Sequence, residues 1–209
     1  TLLFMQSSLF VLAQESLVKA AEKFYTSLSY TRAIEYYEKA LTKTLPPDIT
    51  KKAKINLADS YYKVKDYTNA ERVLKGIVTS TTSADDSELL LRYAQILASN
   101  GKYKEAQTYY QAYEKRVPNT LSSTPTTTKK FVTLYEDVSV LAKNVDCYDV
   151  KYLTINTTSS DFSPAYYKDG LVFVSNRQVG TTVRRVFAWN ETPFLDLFHL
   201  DNVSALGDG

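Results

Sequence analysis

The feature that most constrains this chain is a pair of alanines that recurs three times. The pairs are Ala21 and Ala33, Ala58 and Ala70, and Ala94 and Ala106. The second alanines of successive pairs lie 37 and 36 residues apart, a period typical of stacked helix pairs. Two helices can cross closely only where small side chains meet. The sequence therefore predicts three helical hairpins stacked one on another.

Three further positions repeat with the alanines. A large side chain follows the first alanine by three residues, a tyrosine closes a short turn, and a bulky residue follows the second alanine by four. In repeat order, the large side chains are Phe24, Tyr61 and Leu97. The turn tyrosines are Tyr30, Tyr67 and Tyr103, and the bulky residues are Tyr37, Leu74 and Tyr110. We expect the bulky residues to fill the space between one hairpin and the next.

With five coincident positions in three repeats, residues 14–118 resemble the tetratricopeptide repeat family. Pro118 closes the third repeat, and Pro46 is a near equivalent. The observed periods exceed the usual value of about 34 residues, which indicates longer turns at 46–48 and 81–85. The resemblance implies an all-α solenoid of three helix pairs, with a concave groove lined mainly by the first helix of each pair.

The resemblance also implies that this groove binds a protein or peptide. The residues expected to face it are Glu22, Tyr25, Asp59, Tyr62, Lys63 and Gln95. Tyrosine offers a large contact area at low entropic cost, so Tyr25 and Tyr62 are the strongest candidates. The alternative is that both tyrosines pack against neighbouring helices or simply lie exposed to solvent. A carboxylate clamp, which needs Lys and Asn here, is disfavoured because Glu22 and Asp59 place negative charge on this surface.

The segment after the repeats predicts a linker and one more helix. Residues 119–128 are rich in Ser and Thr and indicate a loop. The next apolar residues follow helical spacing and are Phe131, Leu134, Tyr135, Val138, Leu141 and Ala142. We predict a helix over 129–145 that caps the open end of the solenoid, since an uncovered terminal repeat would expose apolar surface.

From residue 146 onward the pattern changes to that of β-structure. Residues 148–155 alternate as in an extended strand. The turn pair Asp169-Gly170 then leads into the apolar run Leu171–Val174, a second predicted strand. His199 lies in the strand-like run 194–200, where a structural role is favoured over a catalytic one.

Several short motifs in this region are similar to a blade of a WD40-like β-propeller of the TolB type. They are Ser163-Pro164, Asp169-Gly170, Ser175-Asn176-Arg177 and the aromatic strand ending at Asp201. The segment between the last two motifs is longer than a plain hairpin. The resemblance implies that residues 146–209 are the start of an all-β propeller truncated in this chain, since one blade cannot bury its faces alone.

The first thirteen residues are expected to be the remnant of a signal peptide. The stretch Leu2–Leu12 is largely apolar and is followed by Ala13, with Val11 two places before it. It is too short to span a bilayer. The alternative is a buried amphipathic first helix, which is less favoured because the helical apolar spacing of this stretch is poor. The pattern predicts export, with a mature chain starting near Gln14.

Taken together, these segments resemble the N-terminal region of multidomain OmpA-family proteins of Bacteroidetes, including PorE-like proteins of type IX secretion and gliding machinery. The resemblance implies a non-enzymatic periplasmic scaffold associated with the outer membrane and not spanning it. It implies protein partners such as PorP/SprF-like outer-membrane proteins. Peptidoglycan would be bound only through a domain downstream of this chain.

The sequence offers little for catalysis or for cofactor binding. The single cysteine, Cys147, excludes an internal disulfide and any multi-cysteine metal site. No HExxH, GxSxG, P-loop or GxGxxG motif occurs, so no catalytic, cofactor-binding or metal-binding residue is predicted. A net charge of +2, with dispersed Lys and Arg, argues against a nucleic-acid partner.

Two other function classes stay open at this point. One is the N-terminal part of a propeller-gated peptidase or hydrolase, whose nucleophile motif would lie downstream. The other is a carbohydrate-uptake lipoprotein, which needs a lipidated cysteine where Gln14-Glu15 stands.

Overall fold

The computed structural model describes residues 16–79, 86–116, 134, 137–178, 180 and 185–207. The chain divides into two compact units, the helical unit Thr1–Lys143 and the sheet unit Asn144–Gly209. The sequence pattern had set the start of the β-region at residue 146.

The helical unit consists of helices that pair in chain order. The helices are α1 (16–26), α2 (Tyr30–Leu41), α3 (Pro47–Lys63), α4 (Tyr67–Val78), α5 (Ser87–Ser99) and α6 (Tyr103–Arg116). From α2 onward each helix packs against the next, and the ring of Phe24 on α1 lies 5.1 Å from that of Tyr36 on α2. The predicted helix pairs are therefore confirmed, and the three turn tyrosines are the first residues of α2, α4 and α6.

The repeated alanines form the innermost contacts of the helical unit. All six have no exposed surface. The bulky residues at the last repeated position, Tyr37, Leu74 and Tyr110, are at most 2% exposed and belong to the same continuous core. Complete or nearly complete burial of both the small and the bulky repeated residues agrees with the packing that the spacing predicts.

The turn inside each hairpin has the same backbone geometry in all three repeats. One residue adopts a left-handed conformation, namely Leu28 (φ 61°), Lys65 (φ 66°) and Gly101 (φ 74°). The next residue donates its N–H back across the helix end, in the bonds Ser29 to Phe24, Asp66 to Tyr61 and Lys102 to Leu97, each 2.9 Å long. This Schellman-type closure satisfies carbonyls that the helix end leaves unpaired.

The predicted turn at 46–48 lies partly inside a helix. Pro47 is the first residue of α3, and Asp48 lies in its first turn. Proline costs no hydrogen bond at a first helical position, and a carboxylate there is favoured by the helix dipole. The other predicted turn, 81–85, and the closing Pro118 lie outside the described residues.

The prediction of a capping helix over 129–145 is wrong for its described C-terminal part. Val138–Ala142 forms a short 3-10 helix with no buried residue, and Val145–Cys147 forms another. Asp137 accepts hydrogen bonds from the N–H and hydroxyl of Ser139 at 3.0 and 2.6 Å, a local pattern that competes with regular helix. Leu134 packs against the helical core, while residues 129–133, 135 and 136 lie outside the described part.

The sheet unit contains a three-stranded antiparallel sheet in the order β1 (Asp161–Tyr167), β2 (Gly170–Ser175) and β3 (Asp196–Leu200). The predicted turn at Asp169-Gly170 and the apolar strand after it are confirmed. A side chain at Gly170 would collide with the carbonyl oxygens of Leu200 and Asp201, which explains the glycine. Pro164 falls where the β1–β2 register shifts between Phe162 and Ala165, and such irregularities tolerate a residue without an N–H.

A polar network around Arg177 joins the start of β1, the end of β2 and the segment that precedes β1. Its guanidinium donates to Asp161 Oδ1 at 2.7 Å and to the carbonyl oxygen of Ile155 at 2.9 Å. It also lies 4.8 Å from the ring centre of Phe173 and 5.2 Å from that of Phe198. Hydrogen bonds from Arg177 and from Ser175, whose hydroxyl donates at 2.6 Å, hold the pKa of the Asp161 carboxyl well below its usual range.

The strand predicted over 148–155 does not form. Residues 148–152 have no regular secondary structure, and Tyr148, Val150 and Tyr152 are between 74% and 86% exposed. Alternating apolar residues make a strand only where a partner strand satisfies the backbone groups.

Two glycines of the helical unit should respond oppositely to alanine. Gly101 has a positive φ, so Gly101→Ala should lower the free energy of unfolding by about 1 kcal/mol. Gly76 lies in α4, and a Cβ there would meet no atom within 4 Å beyond its chain neighbours and the backbone of its own helix, so Gly76→Ala should raise the free energy of unfolding by about 0.5–1 kcal/mol. Urea unfolding followed by circular dichroism at 222 nm measures both. Equal effects in the two variants would contradict the left-handed turn.

Candidate functional site

The first helices of the three hairpins, α1, α3 and α5, are joined by polar contacts that each involve at least one predicted groove residue. The Tyr25 hydroxyl on α1 donates to Asp59 Oδ2 on α3 at 3.0 Å. Arg92 on α5 lies 3.4 Å from the other oxygen of Asp59. Glu22 on α1 pairs with Lys52 on α3 at 2.7 Å. These contacts place the three helices side by side on one surface.

Asp59 is the centre of this arrangement. Its side chain is 14% exposed, and it binds one group from each neighbouring hairpin. Burial, together with the charge of Asp59 and its hydrogen bond, raises the pKa of Tyr25 well above its usual range. The phenol therefore remains a hydrogen-bond donor throughout the physiological pH range.

Tyr62 is held by aromatic and cationic neighbours. The Arg92 guanidinium lies 4.7 Å from its ring centre, and the Tyr67 ring meets it edge-on at 5.5 Å. Both groove tyrosines thus make intramolecular contacts, as the alternative interpretation expected, while each keeps part of its surface open. Whether either contacts a partner stays a prediction.

Between these helices lies a cleft of about 300 Å³. It is lined by Tyr25, Ile55, Asp59, Leu74, Glu88, Leu89, Leu91, Arg92 and Gln95. Three predicted groove residues, Tyr25, Asp59 and Gln95, are among them. The other three, Glu22, Tyr62 and Lys63, are not in the lining, although Tyr62 contacts Arg92 and Glu22 lies on the same helix as Tyr25.

The sequence interpretation missed two charged residues of the cleft, Glu88 and Arg92. Both lie on α5 with Gln95, at successive spacings of four and three residues, so the three share one helix face. A search for helical neighbours of Gln95 would have found them. Apolar residues of the lining such as Ile55 and Leu89 also lie three or four residues from another lining residue on the same helix.

The cleft has the composition of a binding surface. Its aliphatic side chains lie beside a few polar groups that can orient a ligand, as is usual for recognition sites. The described residues include no group of three or more His, Cys, Asp or Glu side chains placed to hold a metal ion.

Comparison with known families supports the repeat assignment for the third hairpin. Residues 87–118, which contain α5 and α6, match the family model of the tetratricopeptide repeat. Comparison with curated proteins gave no match. Tetratricopeptide repeats generally mediate protein–protein interactions and are typical of non-catalytic modules, because stacked helix pairs create extended binding surfaces. None of the described helices combines the length and the apolar character needed to cross a membrane.

The hydrogen bond between Tyr25 and Asp59 should contribute to the stability of the helical unit. Tyr25→Phe removes it while keeping the ring, so the free energy of unfolding should fall by about 1 kcal/mol. Tyr36→Phe is the matched control, because the Tyr36 hydroxyl makes no hydrogen bond to a described residue while its ring packs against Phe24. Both are measured by urea unfolding at pH 7. A loss no larger than that of the control would show that the contact adds nothing.

Proposed function

We propose that this protein is a non-enzymatic scaffold that binds a partner protein on the surface formed by α1, α3 and α5. The observation that carries the proposal is the cleft, because its lining comes mainly from the first helices of all three hairpins, with Leu74 added from α4. A surface assembled from three repeats suits an extended peptide segment better than a small substrate.

The geometry of the cleft also supports binding over catalysis. Its central carboxylate, Asp59, is engaged by Tyr25 and Arg92, contacts that favour a role in holding the three helices together. The neighbouring groups are an amide, a second carboxylate and aliphatic side chains. These groups recognise a partner by shape, hydrogen bonding and charge.

The sheet unit is proposed to be the first part of a WD40-like β-propeller that supplies a second interaction surface. Support comes from the antiparallel order of its strands and from large apolar side chains that stay exposed. These include Phe162, Tyr166, Tyr167, Phe187, Phe194, Leu195 and Leu197. Apolar surface that stays exposed in a sheet unit needs a further layer to cover it, which a neighbouring blade would provide.

The proposed place of action is the periplasm, in association with the outer membrane. The support is the sequence pattern of residues 1–13, which lie outside the described part of the chain, and the family resemblance of the segments taken together. On this proposal the partner is an outer-membrane protein of the PorP/SprF-like type. Contact with the cell wall would require a domain downstream of residue 209.

Site-specific photo-crosslinking tests the scaffold proposal. A benzoylphenylalanine at position 95, inside the cleft, should give a discrete crosslinked species in cell-envelope extracts. The same probe at the exposed Lys75 on α4 is the control. Adding Tyr25→Ala and Tyr62→Ala to the protein that carries the probe at position 95 should lower the yield of the crosslinked species, since both substitutions remove groove contacts.

The proposal predicts a product at position 95 that is absent at position 75. Equal labelling at both positions, or a product unaffected by the two tyrosine substitutions, would contradict binding in the groove. Circular dichroism of each variant separates loss of binding from loss of fold.

A further inference from the structure

We propose that the partner segment entering this cleft carries a basic side chain next to an apolar anchor. The inference rests on the proposed scaffold function and specifies the chemistry of the partner. It is drawn from the charges, the apolar surface and the amide that the cleft presents.

The charged side chains of the cleft lining are Asp59, Glu88 and Arg92. Two of them neutralise each other, because Arg92 lies 3.4 Å from Asp59 and its guanidinium also covers the ring of Tyr62. A partner carboxylate would have to displace Asp59 from Arg92. The remaining charge of the lining is therefore negative.

Glu88 provides that negative charge. It lies in the first turn of α5 and is exposed. Its polar contact is a long one, from the Tyr113 hydroxyl at 3.5 Å, and it forms no ion pair with any described residue. A lysine or arginine of the partner would meet this carboxylate without breaking an existing pair, so charge complementarity favours a basic partner.

The rest of the cleft defines what stands beside the basic residue. Ile55, Leu89 and Leu91 are partly exposed aliphatic side chains that can bury an apolar anchor. Gln95 is partly exposed, and its side-chain amide makes no hydrogen bond with the described residues. A free amide in a groove can both donate to and accept from a peptide backbone. An extended peptide segment can meet all of these. Its basic side chain pairs with Glu88, its apolar side chain packs against the aliphatic residues, and its backbone bonds to the Gln95 amide.

Peptide selection tests the inference without a known partner. The whole chain is immobilised and used to select from a phage-displayed library of random twelve-residue peptides. We expect selected peptides to share a Lys or Arg flanked by an aliphatic or aromatic residue. A fluorescein-labelled consensus peptide is then compared with versions carrying norleucine or Glu at the basic position, using fluorescence anisotropy.

The deciding variant is Glu88→Lys. It should weaken binding of the basic peptide by up to about fivefold through loss of an exposed ion pair, with repulsion between like charges acting in the same direction, and should strengthen binding of the Glu version. Glu105→Lys is the matched control, because it makes the same charge change at an exposed position on α6, outside the cleft. This control should leave the ranking of the peptides by affinity unchanged.

Two failures can be told apart. If peptides are selected and lose affinity on Tyr25→Ala, but show no basic preference or no response to Glu88→Lys, the inference is wrong and the scaffold function stands. If no peptide is enriched, or if every selected peptide binds the Tyr25→Ala variant equally well, both the inference and the proposed groove function are overturned.

Discussion

The close packing of paired helices at small side chains determines how the hairpins of the helical unit are arranged. At Ala58 and Ala70, and again at Ala94 and Ala106, no surface remains exposed. A side chain as large as leucine at such a site would overpack the crossing and cost about 1–3 kcal/mol. Because fully buried alanines recur at the same two positions of each hairpin, successive hairpins stack in the same way and their first helices line up. The cleft is a consequence of that alignment.

Polar contacts between neighbouring hairpins add specificity to this packing. Arg72 pairs with Glu38 at 2.8 Å, and the Tyr61 hydroxyl donates to the same carboxylate at 2.9 Å. Tyr61 is the large residue predicted for the second repeat, and burial raises the pKa of its hydroxyl to about 12. Ion pairs exposed to this degree contribute little stability. Their main effect is to favour one register between hairpins over others, while the aliphatic and aromatic core provides the stabilisation.

The sequence predicted the helical unit well because its period and residue sizes encode packing directly. Residues such as Ala70, a repeated alanine, and Tyr67, at the start of a helix, occupy positions that recur in every hairpin. The same residue types therefore recur in the sequence at a fixed period. The segment 129–145 carries no such repetition. Its apolar spacing was helical, yet Val138, Ser139 and Val140 have modest helix propensity, and Asp137 supplies a competing local turn.

The candidate site was predictable in part for the same reason. Tyr25, Asp59 and Gln95 occupy positions defined by the repeat, and they line one cleft. Glu88 and Arg92 occur on one helix alone, so their roles depend on which residues the neighbouring hairpins bring near them. In the sheet unit, the Ser175-Asn176-Arg177 motif carried part of the resemblance to a propeller blade, but the sequence could not reveal that Arg177 donates a hydrogen bond to Asp161.

Zero-length crosslinking of the wild-type chain tests the stacked-hairpin account most directly. A carbodiimide joins carboxylates and amines that are in contact, and peptide mass spectrometry identifies the pairs. The account predicts links between adjacent hairpins, namely Glu22 to Lys52, Asp86 to Lys51 and Glu71 to Lys102, which lie 2.7–3.0 Å apart. Absence of all three, or a link from Glu22 on the first hairpin to Lys102 on the third, would contradict it.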